Sequence, residues 1–221
     1  MSVNAPSDLQ RIYEARFGAN LDYRRAVWRV LISDFFQPYV RPTDAVLDLG
    51  AGYGEFINQI HCQKKYAMDL NPDLPKRMSS EVQPLLQDCS AKWQIPDGSL
   101  DVVFTSNFFE HLPDKAALGR TLDEAQRCLK QGGRLIALGP NIKYLPGAYW
   151  DFWDHYLPLT EASLREALEN RGYKMERCED RFLPYTMANG PKYPPVFLRA
   201  YLKLPVAWRW LGKQFLVIAT K

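Results

Sequence analysis

Val46-Leu47-Asp48-Leu49-Gly50-Ala51-Gly52-Tyr53-Gly54-Glu55-Phe56 decides the fold. An apolar run enters a glycine turn, and the turn runs into a helix start. Glycine has no Cβ and accepts φ > 0, so such a turn lets a ligand lie against bare backbone. Strand, glycine turn and helix, in that order, mark a nucleotide-like site in an open α/β sheet. Further along, residues 65–69, 84–87, 100–105, 134–138, 173–178 and 215–219 read as strands. Helices are expected over 55–60, over 115–130 with Gly132 at C′, and from an N-cap at Thr160 to 170 with Gly172 at C′. Two more, over 8–17 and 21–36, precede the sheet, and Pro38 and Pro42 close that region. Strands alternating with helices imply a parallel sheet covered on both faces, with the ligand beyond the carboxyl ends of the strands. Gly50–Gly54, Asp69, Asp88 and Asn107 all follow strand ends, so they fall on one edge.

Gly50 and Gly52 fit the first two glycines of a dinucleotide fingerprint, but the third position is Glu55. A carboxylate suits the positive end of a helix and repels phosphates. That favours an adenosine cofactor whose phosphates are replaced by cations, as in S-adenosylmethionine. The segment 46–56 resembles motif I of the class I S-adenosylmethionine-dependent methyltransferases, the Rossmann-like methyltransferase family. The likeness continues in order from about residue 44 to the C-terminus. Tyr66–Pro72 is similar to the second strand with its ribose-binding acid, Gln87-Asp88-Cys89 to the adenine-contacting third strand end, Leu100–Leu112 to the fourth-strand motif, and Gly132–Leu138 to the fifth strand.

The resemblance implies an α/β, three-layer Rossmann-like methyltransferase fold, with a mostly parallel seven-stranded sheet, its last strand antiparallel, and helices on both faces. One domain over 1–221 is expected, with a helical cap at 1–40 and acceptor-side insertions at 141–158 and 190–212. Asp69, at roughly the 20-residue spacing of a ribose acid, would hold the ribose hydroxyls. Leu70 would pack on adenine, Asp88 would take its amino group, and the Cys89 amide would meet the ring. Asp48 orients the glycine loop or attracts the ammonium, and Ala51 and Tyr53 line the pocket. Asn107 and Phe108 contact the methionine portion, and Tyr13, Arg16 or Tyr23 reach in from the cap. Each has a plainer reading as a cap, a turn or a core residue.

Methyl transfer to a hydroxyl needs a base near neutral pH, which histidine supplies. His111 beside Glu110 and His155 beside Asp154 fall at the ligand edge, whereas His61 reads as surface. The family commonly carries Glu-His-Leu after its fourth strand without using the histidine as a base, and the alternative for His155 is a packing histidine capped by Asp154. Cysteine and histidine spacing shows no metal motif, and none is expected. The expected reaction is methylation of a small-molecule acceptor, hydroxyl oxygen slightly favoured, such as a saccharide or natural-product intermediate. The alternatives are an NAD-dependent oxidoreductase and a non-catalytic cofactor-binding module.

A net charge of +3 does not call for nucleic acid. Four scattered cysteines (Cys62, Cys89, Cys128, Cys178) point to reduced thiols in the cytoplasm, and a polar 1–10 argues against a secretory leader. No apolar run reaches the ~18 residues of a membrane span. Aromatics crowd 144–156. In 194–212, Val196, Phe197, Trp208 and Trp210 interleave with Arg199, Lys203 and Arg209. That segment reads as a cover over the site, as a dimer contact, or as an interfacial helix broken at Pro205 that meets a membrane surface. A monomer or a homodimer is expected.

Overall fold

The computed structural model describes residues 11, 14, 20–185 and 192–221. Seven strands form one sheet: β1 (Ala45–Leu49), β2 (Lys64–Asp69), β3 (Val82–Leu86), β4 (Leu100–Ser106), β5 (Leu129–Pro140), β6 (Lys174–Glu179) and β7 (Gln214–Thr220). The spatial order is β3-β2-β1-β4-β5-β7-β6. Strands β3, β2, β1, β4 and β5 pair in parallel, and β7 runs antiparallel between β5 and β6. This is the expected mostly parallel, seven-stranded Rossmann-like arrangement, with the reversed last strand in place. The order reverses direction between β1 and β4, so the two loops that follow these strands face each other across the ligand crevice.

Strand alternation sends successive side chains to opposite faces. Leu47 and Leu49 of β1 join Val103, Leu135 and Val217 in one core, capped by α3 (Lys115–Cys128) and α4 (Glu161–Glu169). Val46 joins Val102, Phe104, Ile136 and Ile218 in the other, under α1 (Leu21–Leu31) and the hairpin of α5 (Pro195–Leu202) and α6 (Pro205–Leu211). A single helical turn, α2 (Leu74–Arg77), lies between β2 and β3. Two packed cores around one sheet give the three layers.

Several boundaries depart from the sequence reading. The expected helix at 8–17 lies outside the described residues, apart from Arg11 and Glu14. The helix over 21–36 breaks at Leu31 into a π-helical turn, Ile32–Phe36, and a 3-10 turn, Gln37–Tyr39. The expected helix at 55–60 is only a run of turns. Its backbone bonds are mixed: Asn58 and Ile60 N–H reach four residues back to Gly54 O and Phe56 O, Gln59 N–H reaches only three back to Phe56 O, and the Gln59 side chain takes the Glu55 carbonyl at 2.7 Å. Helix α3 stops at Cys128, and Gly132, at φ 76°, turns the start of β5 toward the C-terminal Lys221 carbonyl instead of serving as C′. At α4 the reading holds. Thr160 caps through a reciprocal box with Ser163, and Gly172 closes a Schellman turn through Tyr173 N–H to Leu168 O and Gly172 N–H to Glu169 O. Residues 141–158 carry only two 3-10 turns, Ile142–Tyr144 and Ala148–Asp151.

Candidate active site

The glycine turn is held from two sides. The Gly50 and Ala51 amides both donate to Met68 O, at 2.9 and 3.1 Å, which fastens the turn to the end of β2. Gly50, Gly52 and Gly54 have φ of 72°, 53° and 71°, the left-handed region that a Cβ opposes. Space adds a second demand at Gly50, because a Cβ there would overlap the Phe108 ring. The loops after β1 and β4 thus close on each other, as the switch point requires.

Asp69 ends β2 with its carboxylate buried. One oxygen accepts the Gly52 amide and the other the Asn71 amide, each at 2.8 Å. Burial pushes its carboxyl above the ordinary value; the amide donors and the charge of His111 pull the other way. Each oxygen has two acceptor sites, so both can still take a ribose hydroxyl. Asp48 sits deeper. Burial drives its carboxyl well above the usual range, and the nearby charges of Glu55 and Asp69 add to this. A carboxyl in that setting is a support for the loop first.

Asn107 follows β4 at φ 50°, the one non-glycine residue with positive φ among those described. Its amide donates to Leu138 O at 3.0 Å and its side-chain NH₂ to Ser106 Oγ at 3.1 Å. The side-chain oxygen is buried and accepts nothing from the described residues. A strained backbone with an open acceptor at a strand end is an arrangement kept for a ligand donor. These features fit S-adenosylmethionine. Asp69 suits the ribose diol, the Asn107 oxygen suits an ammonium donor, and the bare glycine edge admits the chain between them. Leu70 is half-buried beside Asp69, and Cys89 lies buried near the end of β3. The Asp88 carboxylate takes the Ser90 amide and hydroxyl at 2.8 and 2.9 Å. It therefore shapes its own turn, which leaves one oxygen for adenine. Tyr53 lies under the Arg77 guanidinium, 4.3 Å from the ring centre, and walls a polar cleft of about 290 Å³ on the outer side of the turn. Tyr23 hydroxyl accepts the Tyr193 amide at 3.1 Å. Tyr13 and Arg16 lie outside the described residues.

Glu55 differs from its expected role. It is buried and receives the Arg24 guanidinium at 2.6 Å. A paired carboxylate has little repulsion left for a phosphate, so the argument against a dinucleotide from this residue loses force. The fourth-strand loop and Asp69 carry the cofactor assignment instead.

The two candidate histidines converge. Their ring centres lie 5.0 Å apart, although 44 positions separate them in the chain. His111 Nδ1 is 2.8 Å from the Asp154 backbone oxygen and 3.3 Å from its carboxylate, so this nitrogen is the donor and Nε2 keeps its lone pair. His155 is more enclosed, stacked on Phe152 at 4.8 Å and tilted against Tyr149 at 4.7 Å. The buried Glu110 joins them: one ligand atom from each of Glu110, His111 and His155 lies within 4.8 Å of the others. Sequence spacing showed no metal motif; folding builds a group that can take a cation. Sequence reading noted Glu110 and Asp154 only as neighbours of the histidines and Tyr149 only among the aromatics of 144–156; folding gathers all three around the histidine pair. The aromatic wall divides, with Tyr149 fully buried while Trp150 and Trp153 face outward. His61 is exposed, tied to Gln37 through its backbone.

Residues 47–137 match the family described as methyltransferase domain. The chain is 33% identical over 110 residues to sarcosine/dimethylglycine N-methyltransferase of Halorhodospira halochloris, covering 45% of this chain and 38% of that protein. It is 27% identical over 154 residues to 2-methyl-6-phytyl-1,4-hydroquinone methyltransferase of a Synechocystis strain, covering 59% and 46%. The chain thus spans under half the length of both curated relatives. Among solved structures, a SAM-dependent methyltransferase from Archaeoglobus fulgidus superposes with a TM-score of 0.69 at 21% identity, covering 93% of this chain and 99% of that one. Residues 47–137 thus match a methyltransferase domain, set on a Rossmann-like sheet order with its glycine cradle at the switch point.

Proposed function

We propose that the protein transfers a methyl group from S-adenosylmethionine to a small-molecule acceptor, with a hydroxyl oxygen favoured and His111 as the base. The observation that carries this reading is the His111 ring, oriented by Asp154 at 2.8 Å and brought within 5.0 Å of the His155 ring, centre to centre. Both curated relatives are named for small-molecule substrates, an N-methylated glycine and a hydroquinone. When bound, S-adenosylmethionine supplies an electrophilic sulfonium methyl. The chain's own work is then alignment and proton removal. Asp69 and the Gly50–Gly54 turn fix the donor; His111 Nε2 takes the acceptor proton; Asp154 steadies the ring as it becomes cationic. His155, closed in by Phe152 and Tyr149, packs the acceptor corner. The four free cysteines support a cytoplasmic setting.

The test measures S-adenosylhomocysteine release across a panel of hydroxyl and amine acceptors. His111→Ala is expected to lower turnover by about 10²–10⁴-fold with cofactor affinity kept. Full turnover in that variant removes the base role. A second reading rests on the Glu110–His111–His155 group, since two imidazoles and a carboxylate suit a divalent transition cation. Turnover that survives EDTA supports the base. Loss on EDTA treatment and recovery with Mn²⁺ or Zn²⁺ makes the imidazoles ligands.

A further inference from the structure

The hairpin of α5 and α6 has an inner and an outer side, and among the described residues the buried contacts lie on the inner side. Leu202 and Trp208 are buried, Trp208 packs on Phe182 at 4.9 Å and on Phe35 at 6.1 Å, and its indole N–H donates to Tyr201 O at 2.9 Å. Tyr201 hydroxyl donates in turn to Phe182 O at 2.5 Å, and Arg199 reaches Asp34 at 3.6 Å. The hairpin is therefore fixed in place. Its outer side is nonetheless apolar. Of the ten large apolar side chains exposed among the described residues, seven lie between Tyr193 and Leu211. Val206 is 71% and Trp210 82% exposed, one helical turn apart, and Val196 and Phe197 stand out at 63% and 61%.

The charge on this segment is one-sided. Residues 192–213 hold Lys192, Arg199, Lys203, Arg209 and Lys213 and no acidic residue. The chain's net +3, less this +5, leaves −2 for everything else. Basic residues set among exposed aromatic and aliphatic side chains, on short helices lying flat, match the two attractions of an anionic bilayer surface: insertion of rings at the headgroup boundary and counter-charge above it. No described helix is long and apolar enough to cross a membrane.

We propose that the outer face of the 195–211 hairpin docks the protein on an anionic lipid surface, with Trp210, Phe197 and Val206 entering the headgroup boundary and Lys203 and Arg209 meeting lipid phosphates. The hairpin joins the end of β6 to the start of β7, and vesicle binding is measured apart from methyl transfer, so the two are tested independently.

The test is vesicle sedimentation of the full chain. Phosphatidylglycerol/phosphatidylcholine vesicles are compared with pure phosphatidylcholine, at low salt and at 0.5 M. Wild type is expected to partition at least about tenfold more onto the anionic vesicles, less so in high salt. Phe197→Ser/Trp210→Ser and, separately, Lys203→Glu/Arg209→Glu are each expected to lose at least tenfold, with the S-adenosylhomocysteine thermal shift unchanged. If the first pair fails to fold, the charge pair reads the same face. Wild type left in the supernatant with anionic vesicles overturns the proposal, as does undiminished binding by folded variants. So does a wild-type dimer on light scattering that Phe197→Ser/Trp210→Ser turns into a monomer without vesicle binding, which would make the face a contact between copies.

Discussion

At the scale of single residues, hydrogen-bond partners and position, not burial, tell the two carboxylates beside the glycine turn apart. Asp48 and Asp69 are both buried and both raised, yet Asp69 has two amide donors at the sheet edge while Asp48 is occupied by the Ile57 amide inside. The folded Asp48 carboxyl holds its proton to higher pH than the unfolded chain does. Between the ordinary value near 3.8 and the raised folded value the native state binds more protons, so stability falls as pH rises through that window. Asp48→Asn removes this loss and keeps an oxygen for the Ile57 amide. Its Tm is expected to exceed that of wild type at pH 7, by roughly 2–4 °C for each kcal/mol recovered, and to match it near pH 3. A variant less stable than wild type at pH 7 would mean that the ionised carboxylate holds the loop together. The place of Asp69 at the end of the second strand was legible from its spacing after the glycine turn. Glu55 was misread because its partner, Arg24, lies 31 positions away, and sequence does not show a charge being neutralised at that distance.

At the scale of elements, the strands were legible and the connections less so. The core of β1 was read to the residue, since five consecutive buried positions leave no other reading. The helix over 55–60 gave way to turns because the Gln59 side chain takes the Glu55 carbonyl while the Gln59 amide turns back only three residues to Phe56 O, a competition that propensity does not register. The convergence of His111 and His155 came through correctly as two residues at one edge, but their contact through Asp154 needed the fold of 141–158, whose 3-10 turns have no periodic signal. The loop pairing at Gly50 makes a sharp prediction. Gly50→Ala meets both a left-handed φ and the Phe108 ring, so the two loops must part. Affinity for S-adenosylhomocysteine by calorimetry is expected to fall at least about tenfold, the equivalent of ~1.4 kcal/mol, while the far-ultraviolet dichroism stays native. Unchanged affinity would show that the loop contact is dispensable to the cofactor.

At the scale of the whole molecule, one sheet separates two cores and presents a single ligand edge at its switch point. The loops after β1, β2 and β4 bring Gly50–Gly54, Asp69 and Asn107 to that edge, and Glu110–His111 meets the loop after β5 there. The methyl donor can be argued from residues of this edge, while the acceptor remains the proposed part of the account. The most direct test is a thermal-shift comparison of S-adenosylmethionine, S-adenosylhomocysteine, NAD and NADP. At about 100-fold excess over Kd, a ligand of the native state adds ~2.7 kcal/mol, or about 5–10 °C for a chain of this size. The two S-adenosyl compounds are predicted to give that shift and the nicotinamides none; a shift with NAD or NADP alone would contradict the assignment.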